Sequence, residues 1–451
     1  LAGNNLMKGL LTDDETLVIK ARDFIAEEIC MTEEEGIQKD WSFHQHGPQI
    51  QFGNYGLTYA DILSFWMRVL KGTQYDFTQQ QKDIVVNLMK EGICWSVYRG
   101  VMDPSFCGRQ NFIDAGTGKA YALSVVARNL SLAVDEERDF FARVARENLQ
   151  PEKYDNTLVG ARYFWRSDCG VYRRPGWYAS IRMHSERTIG FEFTNKENTL
   201  ANFSADGALL LMQDAGEFHN IFAYWDWRKV PGVTAYDDGK PIKCDPSREA
   251  TRNNSSHVFG KAVGDVMCAT MELDRDGLYA LKSSFFFPEC IVCLGTDITA
   301  SNPDFKSVTT AVDQIHLDGK VVVKDSWIWH ANRGYVSLDG APMEVTADLQ
   351  RGKWDLIEPA FKDKWDEGKV FKCWFEHPVD GSKGSYAYAI VPDASVSKVR
   401  RFAAKVIRND RECQAVRYGD VIAAIFHRSG QFVLEGETFN VDSPSAVIKE
   451  L

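Results

Sequence analysis

The chain has 451 residues, 44% hydrophobic and 25% charged side chains, and a formal net charge of −11. That length calls for two or three domains, the composition is globular, and no apolar run is long enough to span a bilayer. The acidic balance excludes a general nucleic-acid binder, which needs a basic footprint, and admits an acidic polymer only through a local basic groove.

Residues 1–150 read as helical. Thr12-Asp13-Asp14-Glu15 is a capping-box pattern, after which Leu17, Val18, Ala21, Phe24, Ile25 and Ile29 recur at helical spacing. The same grammar returns at Thr78-Gln79-Gln80-Gln81 before Ile84, Val85, Leu88 and Met89. Further helices are expected over 120–132 and 135–148. Between the first two, residues 40–59 concentrate His44, His46 and Tyr55 among Gly47, Pro48, Gly53 and Gly56, which predicts an ordered loop rather than a helix. Imidazole and phenol are proton-transfer groups, so one loop could bring both to a single carbon or oxygen; the plainer alternative is that they satisfy loop backbone.

From residue 151 the texture changes to short β-branched and aromatic runs bounded by Gly, Asp, Asn and Pro, a large antiparallel β-region over 151–392. Expected strands include 177–183, 291–298, 321–329, 370–375 and 386–391, with turns at Asp318-Gly319 and Asp380-Gly381. Strands continue over 421–426 and 432–434 in a C-terminal β-part, 393–451. Ten cysteines over this length do not make a disulfide scaffold. Cys290 and Cys293 form a lone C-x-x-C in an apolar run, where strand alternation sends the thiols to opposite faces and favours burial over metal binding. His184, His316 and His330 read as structural, and Trp66 as core. The chain begins at Leu1 without methionine and reads as a fragment or a processed protein.

Three separated segments carry a resemblance. Gln45-His46-Gly47-Pro48-Gln49 leads to Tyr55-Gly56, with His46 and Tyr55 nine positions apart; Gly108-Arg109 follows; and Arg182-Met183-His184-Ser185-Glu186-Arg187-Thr188 leads through Glu192 and Asn195-Lys196-Glu197-Asn198 to Asp206-Gly207. In this order and spacing they resemble polysaccharide lyase family 8, which holds chondroitin AC, hyaluronate and xanthan lyases. The resemblance implies an α+β multidomain fold in which an N-terminally incomplete α/α toroid precedes a β-sandwich region and a small C-terminal β-part.

It also implies β-elimination on a uronate-containing polysaccharide, chondroitin sulfate first and hyaluronan second. The proton on C5 of the uronate is weakly acidic, because its removal adds charge to a sugar already bearing a carboxylate, so the site must stabilise that carboxylate. By position, Tyr55 is the base and acid, His46 the carboxylate partner or auxiliary base, Arg109 the guanidinium that favours phenolate, and Glu192 the group that orients Arg109. Asn54, Asn195 and Asn198 are the expected substrate-binding residues, with turn capping as the alternative for the last two. An ordinary ion pair is the alternative for Arg109 and Glu192.

Where the family carries a second arginine, this chain has Ile113, which removes a cation. The family's carboxylate-binding asparagine and its aromatic sugar platform are expected upstream of Leu1, so Trp41 and Trp66 are not assigned to sugar stacking. A structural calcium known in some relatives would fall at Trp225-Asp226-Trp227-Arg228 with Asp237-Asp238, but Arg228 puts a cation where an oxygen ligand is wanted. No cofactor or metal is required. A secreted or periplasmic monomer is expected, with an acidic polysaccharide as partner and neither nucleic acid nor membrane. A xanthan or other acidic-polysaccharide lyase, a toroidal glycoside hydrolase and a non-catalytic glycan-binding protein are the alternatives.

Overall fold

A computed structural model describes residues 1–155, 158–242 and 250–451. They group into one unit of Leu1–Gly108 with Asp114–Asp155, and a second of Arg109–Ile113 with Asn156–Leu451.

The first unit is helical. Its helices are α1 (Ala2–Thr12), α2 (Glu15–Glu27), α3 (Leu57–Leu70), α4 (Gln79–Asn87), α5 (Ala115–Ala133) and α6 (Arg138–Leu149). Thr12 closes α1 instead of capping α2: its hydroxyl donates to Lys8 O, and Asp13 takes the left-handed conformation that ends a helix. The cap of α2 is Asp14, whose carboxylate accepts from Leu17 N, a contact worth about 1 kcal/mol. Thr78 and Gln81 do form the expected reciprocal capping box.

Val18, Ala21 and Ile25 of α2, Leu63, Trp66 and Met67 of α3, and Leu123, Val126 and Leu130 of α5 make the apolar core, each large side chain contributing roughly 1.5–3 kcal/mol. Phe24 shares the helical spacing of α2 but lies on its exposed face. Helix α3 falls where a loop was expected: residues Phe52–Gly56 form a π-turn that runs directly into it. Gly53 and Gly56 do not break this turn; they permit close packing. A Cβ on Gly53 would stand 2.5 Å from Met102 Sδ and 2.9 Å from Phe106 O.

The second unit is β-rich. Among the described residues its largest sheet has eight antiparallel strands in the order 258–263, 266–275, 278–287, 290–300, 384–391, 333–337, 327–330 and 321–324. Two four-stranded sheets join strands 160–164, 169–174, 177–182 and 208–212, and strands 344–353, 365–377, 307–316 and 234–237. The expected strand over 321–329 is two strands joined at residues 325–326. Asp318-Gly319 and Asp380-Gly381 are turns, but each carries the chain from a four-stranded sheet to the eight-stranded one instead of closing a hairpin. Asp276-Gly277, both with positive φ, does close a two-residue hairpin between the paired residues Arg275 and Leu278, one of several among the described residues.

The C-terminal sheet orders strands 405–409, 413–418, 421–426 and 445–450. It packs Val416, Ala423, Ile425 and Ala446 against Phe285, Phe287, Val292 and Leu294 of the eight-stranded sheet. Cys290 belongs to this core, whereas Cys293 meets Ser284 on the opposite face, as the strand period requires. The nine cysteines among the described residues are free thiols. No helix is long and apolar enough to cross a membrane.

Candidate active site

In the helical unit the candidate proton-transfer groups lie within residues 35–56. Strands Gly36–Ile37 and Phe43–His44 pair antiparallel, and a bridge between His44 and Ile50 turns the chain back on itself. At the reversal His46 and Gly47 both have positive φ, an uncommon conformation for histidine that needs outside support. Glu35 supplies it by accepting from Gly47 N at 2.9 Å and from the Gln45 amide. The result is an exposed imidazole at the tip of a braced turn. His44 is buried.

Tyr55 lies on the π-turn, half-buried, and its ring centroid is 4.7 Å from that of His46 at an interplanar angle of 55°. Sequence separation hid this contact; the reversal creates it. The two proton-transfer groups therefore occupy one place, where they can hand a proton to and from a common substrate atom.

The π-turn itself is clamped. Gly56 N donates to Gln51 O at 2.9 Å, and the Asn54 amide donates to Gln51 Oε1 at 3.2 Å and accepts from Lys119 Nζ at 3.1 Å. Asn54 was expected to bind substrate. Both ends of its amide are engaged within the turn, and 8% of its surface is exposed. Gly108, of the Gly-Arg pair, is required here. Its φ is +56°, and a Cβ would stand 2.8 Å from Gln51 Oε1 and 3.1 Å from Asn54 Nδ2.

In the β-rich unit Arg109 is 4% exposed, with Nη1 donating to Glu192 and Nε to Glu197. The pairing with Glu192 is the one the sequence suggested; Glu197 is an addition. Such charge-assisted bonds fix the guanidinium in orientation as well as position. Formally the cluster holds one positive and two negative charges, so its field is the balance of all three groups.

Glu192 is held by a bridge to Ala250, and Thr251 N donates to Phe191 O. Glu197 sits in a compact turn in which Asn195, Lys196 and Asn198 all have positive φ, the conformation that asparagine tolerates best. Asn195 is exposed on this turn. Asn198 is 0% exposed on this turn, with its backbone N donating to Ile357 O.

The remaining motif residues are scaffold. Ser185 and Thr188 donate to buried Asp168 at 2.6 and 2.8 Å, and Arg187 pairs with the same carboxylate. Burial nonetheless pushes the Asp168 carboxyl up, which shows how deeply this knot is set. His184 Nε2 meets Asp206 Oδ1 at 2.8 Å, and Arg275 also approaches that carboxylate. His316 and His330 bond to backbone carbonyls at His219 and Lys320, which agrees with their structural assignment.

Trp225 and Trp227 are buried together against Phe222. Arg228 pairs with Asp237 and Asp238, and Lys372 with Asp226. Each carboxylate that a calcium would need already faces a cation, so this donor set does not fit a hard divalent ion.

Sequence reasoning missed Glu197, Lys119 and Gln51. Glu197 lay inside the quoted Asn195–Asn198 stretch. Lys119 had a detectable signal: it falls four residues from Ala115 and from Leu123 on the buried face of α5.

Family models match nearly the whole chain. "Polysaccharide lyase family 8, N terminal alpha-helical domain" covers residues 1–146, "Polysaccharide lyase family 8, super-sandwich domain" 159–403, and "Polysaccharide lyase family 8, C-terminal beta-sandwich domain" 405–450. The Chondroitinase-AC of Pedobacter heparinus is 28% identical over 474 residues, which cover 98% of this chain and 66% of that protein. A Hyaluronate lyase of Thermasporomyces composti is 24% identical over 511 residues, covering 98% and 64%. A chondroitinase AC lyase solved with oligosaccharides superposes with a TM-score of 0.90 at 25% identity, over 100% of this chain and 70% of that one. This chain thus spans just under two thirds of the length of the curated relatives it matches.

Proposed function

Because the chain belongs to polysaccharide lyase family 8, we propose that it serves a polysaccharide lyase cleaving uronate-containing glycosaminoglycans, chondroitin sulfate before hyaluronan, by β-elimination. The observation that carries this reading is the His46–Tyr55 ring contact on a braced turn. Tyr55 takes the C5 proton of the uronate; the C–H electron pair becomes the C4–C5 double bond; the C4–O bond breaks, and the phenol returns a proton to the leaving oxygen. No water is consumed and no oxidation occurs.

His46 faces the uronate carboxylate, which must carry extra negative charge as the C5 proton leaves. A neighbouring guanidinium favours the phenolate form of a tyrosine whose ordinary pKa is about 10. By its place in the motif order Arg109 is the candidate for that role, its charge tempered by Glu192 and Glu197. Asn195, exposed on its turn, is the remaining candidate for contact with sugar. The helical unit is proposed as part of an incomplete α/α toroid, and the working protein as a secreted or periplasmic monomer acting on polymer outside the cytoplasm.

A hydrolase would need two carboxylates flanking an open bond, whereas Glu192 and Glu197 are both committed to one guanidinium. The test is to incubate the full protein with chondroitin sulfates, hyaluronan, xanthan and alginate. Elimination gives products with the ultraviolet absorbance of a conjugated double bond. Reducing ends without that absorbance would overturn the proposal.

A further inference from the structure

Lys119 is 9% exposed on α5, and none of the motifs that mark the family includes it. A lysine rarely enters a helix's buried face unless specific acceptors receive it. Here Nζ donates to Gly53 O at 2.5 Å and to Asn54 Oδ1 at 3.1 Å, the two residues immediately before Tyr55. A π-turn needs such a donor, because its wider hydrogen-bonding pattern disturbs the carbonyl pairing of the helix it enters. Both of these acceptors are uncharged.

The packing around this contact is tight enough to transmit position. A Cβ on Gly53 would lie 3.1 Å from Lys119 Cδ as well as against Met102 and Phe106. Gly116, one turn earlier on α5, leaves no room for a side chain either: a Cβ there would stand 2.9 Å from Val101 and 3.1 Å from Met102 O. The first turns of α5 are thereby seated on the strand Val101–Met102, and Lys119 projects from that fixed base.

We propose that Lys119 is a positioning residue for Tyr55, tying the π-turn to α5 so that the phenol is held against His46. This rests on the reading of Tyr55 as the proton carrier. The same support explains how a tyrosine can act from a glycine-rich segment that would otherwise be mobile: two glycines, at 53 and 56, confer close packing, and the lysine removes the freedom they bring.

The test uses the full-length protein with Lys119→Met and Lys119→Arg, each confirmed as folded by circular dichroism and thermal melting. Loss of a supporting contact of this kind lowers kcat about 10- to 100-fold, with KM for polymer nearly unchanged because no sugar contact is removed. Arginine, which can still donate to both oxygens, restores part of the loss. A second readout does not need activity: 3-fluorotyrosine placed at position 55 gives one narrow fluorine resonance in the parent protein and a broadened or split one in Lys119→Met. Unchanged kcat and an unchanged resonance in folded Lys119→Met would overturn the proposal. A raised KM with kcat unchanged would do so too, by assigning Lys119 to substrate binding. If the parent protein eliminates no substrate, the functional reading fails, while the fluorine spectra still decide whether Lys119 orders the turn.

Discussion

The His46–Tyr55 turn and the Arg109–Glu192–Glu197 cluster place reactive groups by opposite means. In the helical unit, aromatic rings are left exposed or half-buried, and order comes from the backbone beneath them: a left-handed His46, a glutamate brace and a lysine clamp. In the β-rich unit the charged groups are themselves the structure, mutually bonded, with Arg109 and Glu192 buried and Glu197 partly so. A group that must meet substrate can afford few bonds of its own, so its order has to be borrowed from neighbours. A group that sets an electrostatic field can be bonded on every side.

That contrast predicts how each region fails. Tyr55→Phe removes the proton carrier while keeping the ring that packs on His46, so elimination falls by at least about 10²- to 10⁴-fold with stability and polymer affinity retained. Initial rates by ultraviolet absorbance and affinity electrophoresis measure the two arms, and near-normal turnover would break the comparison at its first limb.

Arg109→Ala should cost stability as well, because it strands the buried carboxylate of Glu192 and the partly buried one of Glu197. A stability loss of about 3–5 kcal/mol is expected in thermal or urea unfolding, with rate and binding both damaged. A variant that keeps the parent melting temperature would show that the cluster is not structural.

Burial of ionisable groups in the β-rich unit also gives it a pH dependence. His427 contacts His257 at 3.0 Å, with Glu272 and Asp410 also acting on this pair, and burial with the neighbouring imidazole holds its pKa down to about 3. The unfolded chain takes up a proton near about pH 6.5 that the folded chain refuses until about 3, so stability is lost as pH falls through that window. The expected slope from this residue approaches about 1.4 kcal/mol per pH unit, and His427→Gln should flatten it in melts recorded between pH 6.5 and 4.

The smallest effect is expected at Gly108→Ala. A methyl there meets Gln51 and Asn54 and forces a positive φ, for a cost of about 1–2 kcal/mol. Since Gln51 and Asn54 clamp the π-turn, kcat should fall more than melting temperature suggests, which sharpens the claim that the helical unit's chemistry depends on its backbone supports.

Much of this was legible before the coordinates. The change from helical to strand periodicity near residue 150, the capping box at Thr78, the split faces of Cys290 and Cys293 and the pairing of Arg109 with Glu192 all follow from local pattern or motif order. Helix α3 was hidden because its entry carries two glycines, which read as breakers when their packing partners are unknown. The bends at Asp318-Gly319 and Asp380-Gly381 were found, but not that both carry the chain between sheets, since a dipeptide specifies a bend and says nothing of what the next strand pairs with.

The sequence by itself determined residue chemistry, the order of helical and β-rich regions, and the family, because these depend on local periodicity and on motifs spaced along the chain. Only the tertiary structure decided which polar residues present themselves and which support: it put Tyr55 beside His46, set Lys119 under the turn, and buried Asn198. Burial and partner choice are properties of the packed whole, where one lost contact with water must be replaced by a bond from a residue tens of positions away.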